Sequence, residues 1–235
     1  MIRMKNIKAV CAIALALALF CGSCLADIAP DWISALGEKL EAYQLIITAA
    51  TAGTSYAEFY MAEKDANGLW QVELDTTCLI GSCGLGKQRE GDKKTPTGVF
   101  NFNKAFGCAD DPGCLLDYKK ATEDDYWSGD TREGYGYNTL VSIKDYPDLM
   151  KGVSEHIIDT PVSYKYCLNI SYNDECVIGN GSAIFLHCIK PGRTYTSGCI
   201  AIPEADMLYV ITHVTADCMV VIDYKSELTK WTSLE

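Results

Sequence analysis

A cysteine and a histidine, two residue types that together can perform acyl transfer, lie close to each other in this chain. His187 ends an apolar run typical of a strand, a polar loop follows, and the turn Thr196-Ser197-Gly198-Cys199 opens a second apolar run. An imidazole that meets a thiol can take its proton, and the thiolate attacks acyl carbon. Gly198 allows close backbone approach, so N–H groups near Cys199 can face a developing oxyanion. The pattern therefore predicts catalysis through a thioester.

Residues 1–26 have the composition of an export signal, which would place the protein in an oxidising compartment. A basic start is followed by an apolar stretch over about 9–20 that is short for a membrane span, and Cys24-Leu25-Ala26 fits a cleavage site before Asp27. A lipid anchor on Cys21 or Cys24 is the alternative. We expect membrane attachment only if this leader is retained or lipidated.

The cysteine count bears on the role of Cys199. The chain has twelve cysteines, of which Cys11, Cys21 and Cys24 fall in the leader. An odd number then remains, so at least one thiol stays unpaired if all the others pair. Local spacing favours three pairs, with two more cysteines on strand-like runs: Cys78 with Cys83, Cys108 with Cys114, Cys167 with Cys176, and Cys188 and Cys218 able to bridge strands. The alternative, in which Cys199 forms a disulfide and His187 is a core histidine, stays open.

Composition limits the classes of partner. The formal charge of the chain is −11, and it falls to −14 without the three cations of the leader. So acidic a protein is not expected to bind nucleic acid. Hydrophobic residues make up 49% of 235 residues, which is enough for one domain with a sizeable core. We expect a signal peptide over 1–26, an N-terminal helix over 27–43 and a catalytic domain over 44–235.

The elements that must position the cysteine and histidine are mostly short strands. Apolar and alternating runs predict strands near residues 44–48, 56–62, 69–74, 97–102, 139–143, 162–171, 183–188 and 218–223. A helix is expected from Pro203 to about Thr212, and the segment 104–138 is a long irregular loop of the kind that often covers a site. The fold class is therefore mainly β, a β-sandwich or half-open barrel with short decorating helices.

These motifs resemble the L,D-transpeptidase catalytic domain, the YkuD-like cysteine enzymes of bacterial cell walls. The resemblance rests on two segments, Gly181-Ser182-Ala183-Ile184-Phe185-Leu186-His187 and Thr196-Ser197-Gly198-Cys199. The segment 91–100, which contains Thr95-Pro96-Thr97-Gly98-Val99-Phe100, is similar to the family's Thr-Pro-x-Gly-x-Phe element, and Asp124-Asp125-Tyr126-Trp127 with Tyr137-Asn138 is similar to a pattern in one branch. The resemblance covers about residues 42–223.

The resemblance implies roles for individual residues. Cys199 would be the nucleophile, His187 its base, and Gly198 with the Cys199 backbone the oxyanion turn. Residues that would contact the substrate are Thr196, Ser197, Arg193, Tyr195, His156, Trp127, Tyr137 and Asn138. Ser197 stands where many members have a second histidine, and Ala201 replaces a frequent Asn or Arg. Arg193 could grip a carboxylate, and Trp127, Tyr137 and Asn138 could wall the cleft.

The reaction implied is attack on the diaminopimelate carbonyl of a peptidoglycan tetrapeptide stem, release of D-alanine, and transfer to the amine of a neighbouring stem as a 3→3 cross-link. Water in place of the amine gives an L,D-carboxypeptidase. No metal or organic cofactor is expected, and the location is the periplasm or cell envelope of a bacterium. Two other classes stay open, a His/Cys metal-dependent amidase and a non-catalytic wall-binding module. The sequence does not predict an oligomeric state.

Overall fold

The computed structural model describes residues 27–229, so the predicted leader lies outside the described residues. The strands are β1 (Asp27–Ile28), β2 (Gln44–Ala50), β3 (Tyr56–Lys64), β4 (Trp70–Leu79), β5 (Gly98–Gly107), β6 (Tyr118–Lys120), β7 (Asp125–Trp127), β8 (Leu140–Ser142), β9 (Glu155–His156), β10 (Cys167–Ile170), β11 (Phe185–Cys188), β12 (Ile200–Ile202) and β13 (Met219–Tyr224). The helices are α1 (Asp31–Lys39), α2 (Glu204–His213) and α3 (Lys225–Leu228).

One large sheet forms the body of the protein. Its strands follow the order β1-β4-β12-β11-β10-β5-β13-β2-β3, and pairing of β3 with β4 closes the path into a barrel. Closure leaves these central strands without free edges. The mainly β class predicted from the sequence is confirmed, and the barrel is closed rather than half-open.

Apolar side chains alternate along the strands and fill the barrel. Phe59, Leu168, Leu186 and Ile200 are among its fully buried residues, and α2 closes one side by burying Met207 in the same cluster. Alternation sends every second side chain inward. The helix predicted from Pro203 is confirmed as α2, which starts one residue after that proline.

The N-terminal helix is shorter than its sequence pattern suggests. Residues 27–28 pair with β4 as a strand, and α1 spans only Asp31–Lys39 after Pro30. Ile33 and Leu36 of α1 pack on Leu45 and Trp70 in a second cluster outside the barrel interior. Pro30 before the first helical residue and the pairing of Asp27 and Ile28 with Val72 and Gln71 of β4 account for the later start.

The segment expected to be one irregular loop contains regular structure. It holds β6 and β7, and β7 pairs with β8 and β9 in a small separate sheet. Asp130 is buried, and its Oδ2 forms an ion pair with Nη2 of Arg132 at 2.6 Å. That guanidinium holds the pKa of Asp130 below its ordinary value. Only the Asp130 end of this ion pair is buried, and its charge-assisted hydrogen bonds help to hold the segment after β7 in place.

None of the predicted disulfides is formed, because all nine cysteines of the described residues are free thiols. Cys78 points into the barrel core, whereas Cys83 is exposed on the following turn. Cys167 is likewise fully buried on β10, while Cys176 lies in a half-exposed turn. In both of these predicted pairs the two cysteines are close in sequence, but one lies in the core and the other lies at or near the surface. The prediction of local pairs was wrong for this structure.

Candidate active site

Cys199 lies at the end of a tight turn that only glycine can make. Gly198 has φ of +147°, and a β-carbon added there would lie 2.9 Å from the Lys94 carbonyl oxygen and 3.2 Å from Ile184. An L side chain rarely adopts that backbone conformation and would have no room. Gly198 thus sets the position from which the following cysteine enters β12.

Two threonines hold the Cys199 backbone. The hydroxyl of Thr196 donates to the Cys199 carbonyl at 2.6 Å, and that of Thr95 donates to the same oxygen at 3.4 Å. Thr95 is fully buried and also accepts the Gly81 N–H. Sequence reasoning used Thr95 only as part of a motif. The motif nevertheless points to a role for Thr95, because a buried hydroxyl needs a hydrogen-bond partner and the Thr95 hydroxyl finds one in the Cys199 carbonyl.

His187 is fixed in one tautomer. Its Nδ1 lies 2.9 Å from the Cys188 carbonyl oxygen, so Nδ1 carries the proton and Nε2 is left as the basic nitrogen. The Tyr164 ring meets the imidazole edge-on, with ring centroids 5.5 Å apart. β11 presents His187 on the same face as Ala201 of the parallel strand β12. His187, the predicted base, and Cys199, the predicted nucleophile, therefore lie on β11 and just before the neighbouring strand β12.

The sulfur of Cys199 rests against the backbone of the segment before β11. It donates to the Ala183 carbonyl at 3.3 Å and accepts the Phe185 N–H at 3.4 Å. Burial, together with the nearby Glu155 carboxylate, raises the pKa of the Cys199 thiol to about 12. Burial also lowers the pKa of His187 to about 4, against the effect of its backbone hydrogen bond. The resting pair is thus a neutral thiol and a neutral imidazole.

A cleft of about 420 Å³ opens over both residues. Four of the predicted substrate-contacting residues, Arg193, Tyr195, Thr196 and Ser197, line it together with His187 and Cys199. Arg193, Tyr195 and Ser197 are exposed, whereas Thr196 is buried. The loop after β11 therefore forms one wall of the cleft.

The structure places His156 outside this cleft, against the expectation from the sequence. β9 pairs with β7 so that His156 lies opposite Tyr126, and their rings stack at 4.3 Å. Its neighbour Glu155 lies opposite Trp127 and lines the cleft instead. Successive residues of a strand face opposite sides, so only one of the pair can reach the site. The Tyr164 hydroxyl donates to the Glu155 carboxylate at 2.5 Å.

The remaining three predicted residues stand beside the cleft. Trp127 and Tyr137 line an adjoining cavity of about 360 Å³, which shares Glu155 and Ala183 with the cleft. Asn138 lies beneath both, buried, and accepts the Trp127 indole N–H at 3.0 Å. Two of the three thus form a wall, while the third supports it from behind.

Sequence reasoning missed a lysine. Lys87 is buried at the cleft wall and pairs with Asp92 at 3.0 Å. Burial opposes ionisation of Asp92, but hydrogen bonds from the Gln88 and Lys94 amides and from Lys87 hold its pKa below the ordinary value. The Lys87 charge in turn favours a thiolate at Cys199.

The sequence profile of the L,D-transpeptidase catalytic domain, YkuD, matches residues 58–222. This chain belongs to that family. The matched range includes Cys199, Thr95, which donates to the Cys199 carbonyl, and His187, which lines the same cleft as Cys199. A search of curated proteins finds no match.

Solved L,D-transpeptidase structures are also similar to this chain. The Ldtfm–avibactam carbamoyl enzyme is 15% identical, with 77% of this chain and 48% of that chain covered and a TM-score of 0.34. A cysteine-to-serine mutant of the Enterococcus faecium L,D-transpeptidase is 15% identical, with 77% and 49% covered and a TM-score of 0.35. This chain spans about half the length of the solved chains. The family assignment rests on the profile match.

Two features are absent from residues 27–229. No helix there is both long and apolar enough to cross a bilayer. His, Cys, Asp and Glu side chains of this range do not gather in groups of three or more that could hold a metal ion.

Proposed function

We propose that this protein is a cysteine-dependent L,D-transpeptidase of the bacterial cell envelope that forms 3→3 cross-links between peptidoglycan stems. The observation that carries the proposal is the shared cleft, in which the Cys199 thiol and a His187 with its Nε2 unprotonated line one cavity. Family membership supports the substrate class, since the family acts on peptidoglycan stem peptides.

In the first step His187 Nε2 takes the thiol proton while Cys199 Sγ attacks the carbonyl carbon of the third residue of a tetrapeptide stem. Neutral resting partners mean that the proton moves as the C–S bond forms, rather than before substrate binds. The Gly198 N–H already donates to Thr196 Oγ1 at 3.1 Å. We therefore assign the Cys199 N–H, which lies beside the sulfur and lowers its pKa, to the developing oxyanion.

Collapse of the tetrahedral intermediate breaks the C–N bond. D-Alanine leaves with the proton from His187, and a thioester on Cys199 remains. The amine of a second stem then attacks this thioester and gives its proton to His187. The new amide forms, the C–S bond breaks, and the thiolate recovers the proton as a thiol.

The charges around the cleft match a peptide that carries both signs. Lys190 and Arg193 are exposed along the loop wall, where they can meet a stem carboxylate. Glu90 and Glu155 stand where the cleft and the adjoining cavity meet. Carboxylates on that side favour a cationic amine acceptor over plain hydrolysis. This charge layout supports the transpeptidase over the L,D-carboxypeptidase.

Export completes the proposal, because the substrate lies outside the cytoplasm. The expected leader over residues 1–26 would deliver a mature protein beginning at Asp27. N-terminal sequencing of the protein recovered from the cell envelope tests this point. A mature N-terminus at Asp27 supports cleavage, and an intact or acylated leader supports an anchor instead.

The deciding experiment is mass spectrometry of residues 27–235 incubated with a purified disaccharide-tetrapeptide, beside a Cys199→Ala control. We expect a dimer that has lost one D-alanine in the wild type and none in the control. Tripeptide monomer alone would reassign the chain to an L,D-carboxypeptidase. Absence of any Cys199-dependent product would favour a wall-binding module.

A further inference from the structure

We propose that Asn138 is a positioning residue that sets the Cys199 thiol through the backbone of Ala183. The inference rests on the proposed function for its consequence in turnover, but not for its effect on the thiol itself. Asn138 lies in the segment between β7 and β8, far from Cys199 in sequence, and does not line the cleft.

The Asn138 amide makes its full set of hydrogen bonds. Oδ1 accepts the Trp127 indole N–H and the Ala183 N–H, each at 3.0 Å. Nδ2 donates to the Tyr172 carbonyl at 3.2 Å and to the Asn173 carbonyl at 3.0 Å. Two donors on one side and two acceptors on the other leave only one possible orientation of the amide. Asn138 thus ties three separate segments to one point.

The backbone conformation of Ala183 is unfavourable and needs support from its neighbours. Ala183 is buried and has φ of +55°, a left-handed conformation that is unfavourable for a residue with a β-carbon. Conformations of this kind persist only when the surroundings hold them, and they gather at functional sites. The hydrogen bond from its N–H to Asn138 is the contact that holds Ala183 from the outer side.

The opposite side of Ala183 faces the nucleophile. Its carbonyl accepts the Cys199 thiol at 3.3 Å, and the Phe185 N–H two residues later donates to the same sulfur. A carbonyl oxygen stabilises a thiol that donates to it and repels a thiolate. Asn138 therefore keeps Ala183 in the conformation that holds the sulfur protonated and aimed into the cleft.

Asn138→Gly removes the amide but tolerates the left-handed backbone, since Asn138 itself has φ of +58°. Asn173→Gly is the matched control, because Asn173 has φ of +53° and bonds loop atoms of Val177 and Gly181 without contacting Ala183. Asn138→Asp keeps an oxygen for Ala183 and loses the two donated bonds. Each protein is alkylated with iodoacetamide from pH 6 to 10, and each cysteine is followed by peptide mapping.

For Asn138→Gly we expect Cys199 alkylation at pH 8 to rise about tenfold, as for a pKa lower by about one. Exposed Cys83 should react unchanged and buried Cys188 should stay protected, which rules out unfolding as the cause. Turnover of the disaccharide-tetrapeptide should fall roughly 100-fold, mainly in kcat, because the sulfur is misplaced. Asn173→Gly and Asn138→Asp should both stay within about threefold of the wild-type alkylation rate.

A wild-type alkylation profile in Asn138→Gly would overturn the proposal. So would an Asn138→Asp protein that behaves like Asn138→Gly, because the role would then lie in the donated bonds to the loop. Absence of turnover in the wild type would refute the proposed function alone, and the alkylation profiles would still decide the role of Asn138.

Discussion

The turn that carries the nucleophile and the loop that leads to it differ sharply, although they are adjacent in sequence. In residues 196–199, Thr196, Gly198 and Cys199 are buried, and the Thr196 hydroxyl and the Cys199 carbonyl are hydrogen-bonded within the protein. In residues 190–195 every residue is exposed, and Lys190 and Arg193 turn their charges to solvent. One region is built to hold a single geometry, and the other presents charges that a substrate can meet.

The difference separates chemistry from recognition. Covalent catalysis needs reacting atoms held closely, which buried and fully bonded residues provide. Recognition of a flexible peptide needs accessible groups, and exposed charges carry no desolvation cost while the protein is free of substrate. We therefore expect substitutions in the buried turn to lower kcat, and substitutions in the exposed loop to change KM.

The largest effect is expected from His187→Gln, which keeps a polar side chain but removes the base. We predict a loss of kcat of about 10²- to 10⁴-fold, the usual contribution of a positioned base. His156→Gln is the matched control, because the His156 ring stacks on Tyr126 outside the cleft. Steady-state turnover of the stem peptide measures both. Equal losses in the two variants would return His156 to the site.

The second prediction concerns the resting state of the buried pair. With the pKa of Cys199 near 12 and that of His187 near 4, the thiolate fraction grows with pH through the whole neutral range. Iodoacetamide alkylation of Cys199 should therefore rise about tenfold per pH unit from pH 6 to 9, without a plateau. Rates are read by peptide mapping. A plateau near neutral pH would mean a preformed thiolate–imidazolium pair.

Gly198→Ala tests the steric demand of the turn. The added carbon would meet the Lys94 carbonyl, so the turn must shift and kcat should fall roughly 100-fold. Gly192→Ala in the exposed loop is the control, since Gly192 also has positive φ but open space around it. That variant should lose only about 1 kcal/mol of stability and little activity. Thermal unfolding and turnover, measured together, separate backbone strain from displacement of the sulfur.

Thr95→Val should have a smaller effect that combines stability and rate. It leaves the buried Gly81 N–H without an acceptor, which costs about 1–3 kcal/mol of unfolding free energy, and it loosens the Cys199 carbonyl. We expect turnover to fall about tenfold. Thr95→Ser keeps the hydroxyl and should recover most of both. Urea unfolding gives the stability, and a serine variant as impaired as valine would point to packing of the methyl group.

The smallest effect is expected in the exposed loop. Arg193→Lys keeps the charge but loses the two-pronged fork, so KM for the tetrapeptide should rise about three- to tenfold with kcat unchanged. Arg193→Ala should raise KM further. A change in kcat would show that this loop also positions the reacting atoms, and the contrast between the two regions would fail.

Much of the site could be predicted from residue types and order. The strand, loop and turn that carry His187 and Cys199 follow one another directly in the sequence. Few contacts with distant parts of the chain are therefore needed to bring both residues into one cleft. The mainly β class followed from alternating apolar runs in the same way. Thr95 was noted as part of a family motif, but its hydrogen bond to the Cys199 carbonyl depends on the barrel fold, which brings these distant residues together.

Other features were decided only by the tertiary structure. Which member of the pair Glu155 and His156 faces the cleft depends on the register of β9 with β7, and one residue of slip would exchange them. The local disulfide pairs failed because sequence spacing does not say which face a cysteine takes. The contact of Asn138 with Ala183 joins segments distant in the chain.

The sequence by itself determined the chemical groups, their order and the strand-rich architecture, because these depend on residue type and on short-range periodicity. The tertiary structure decided the pKa values of Cys199 and His187, the tautomer of the base and the support from Asn138. Burial and hydrogen bonding set those properties, and both arise from residues that are neighbours in space but not in the chain.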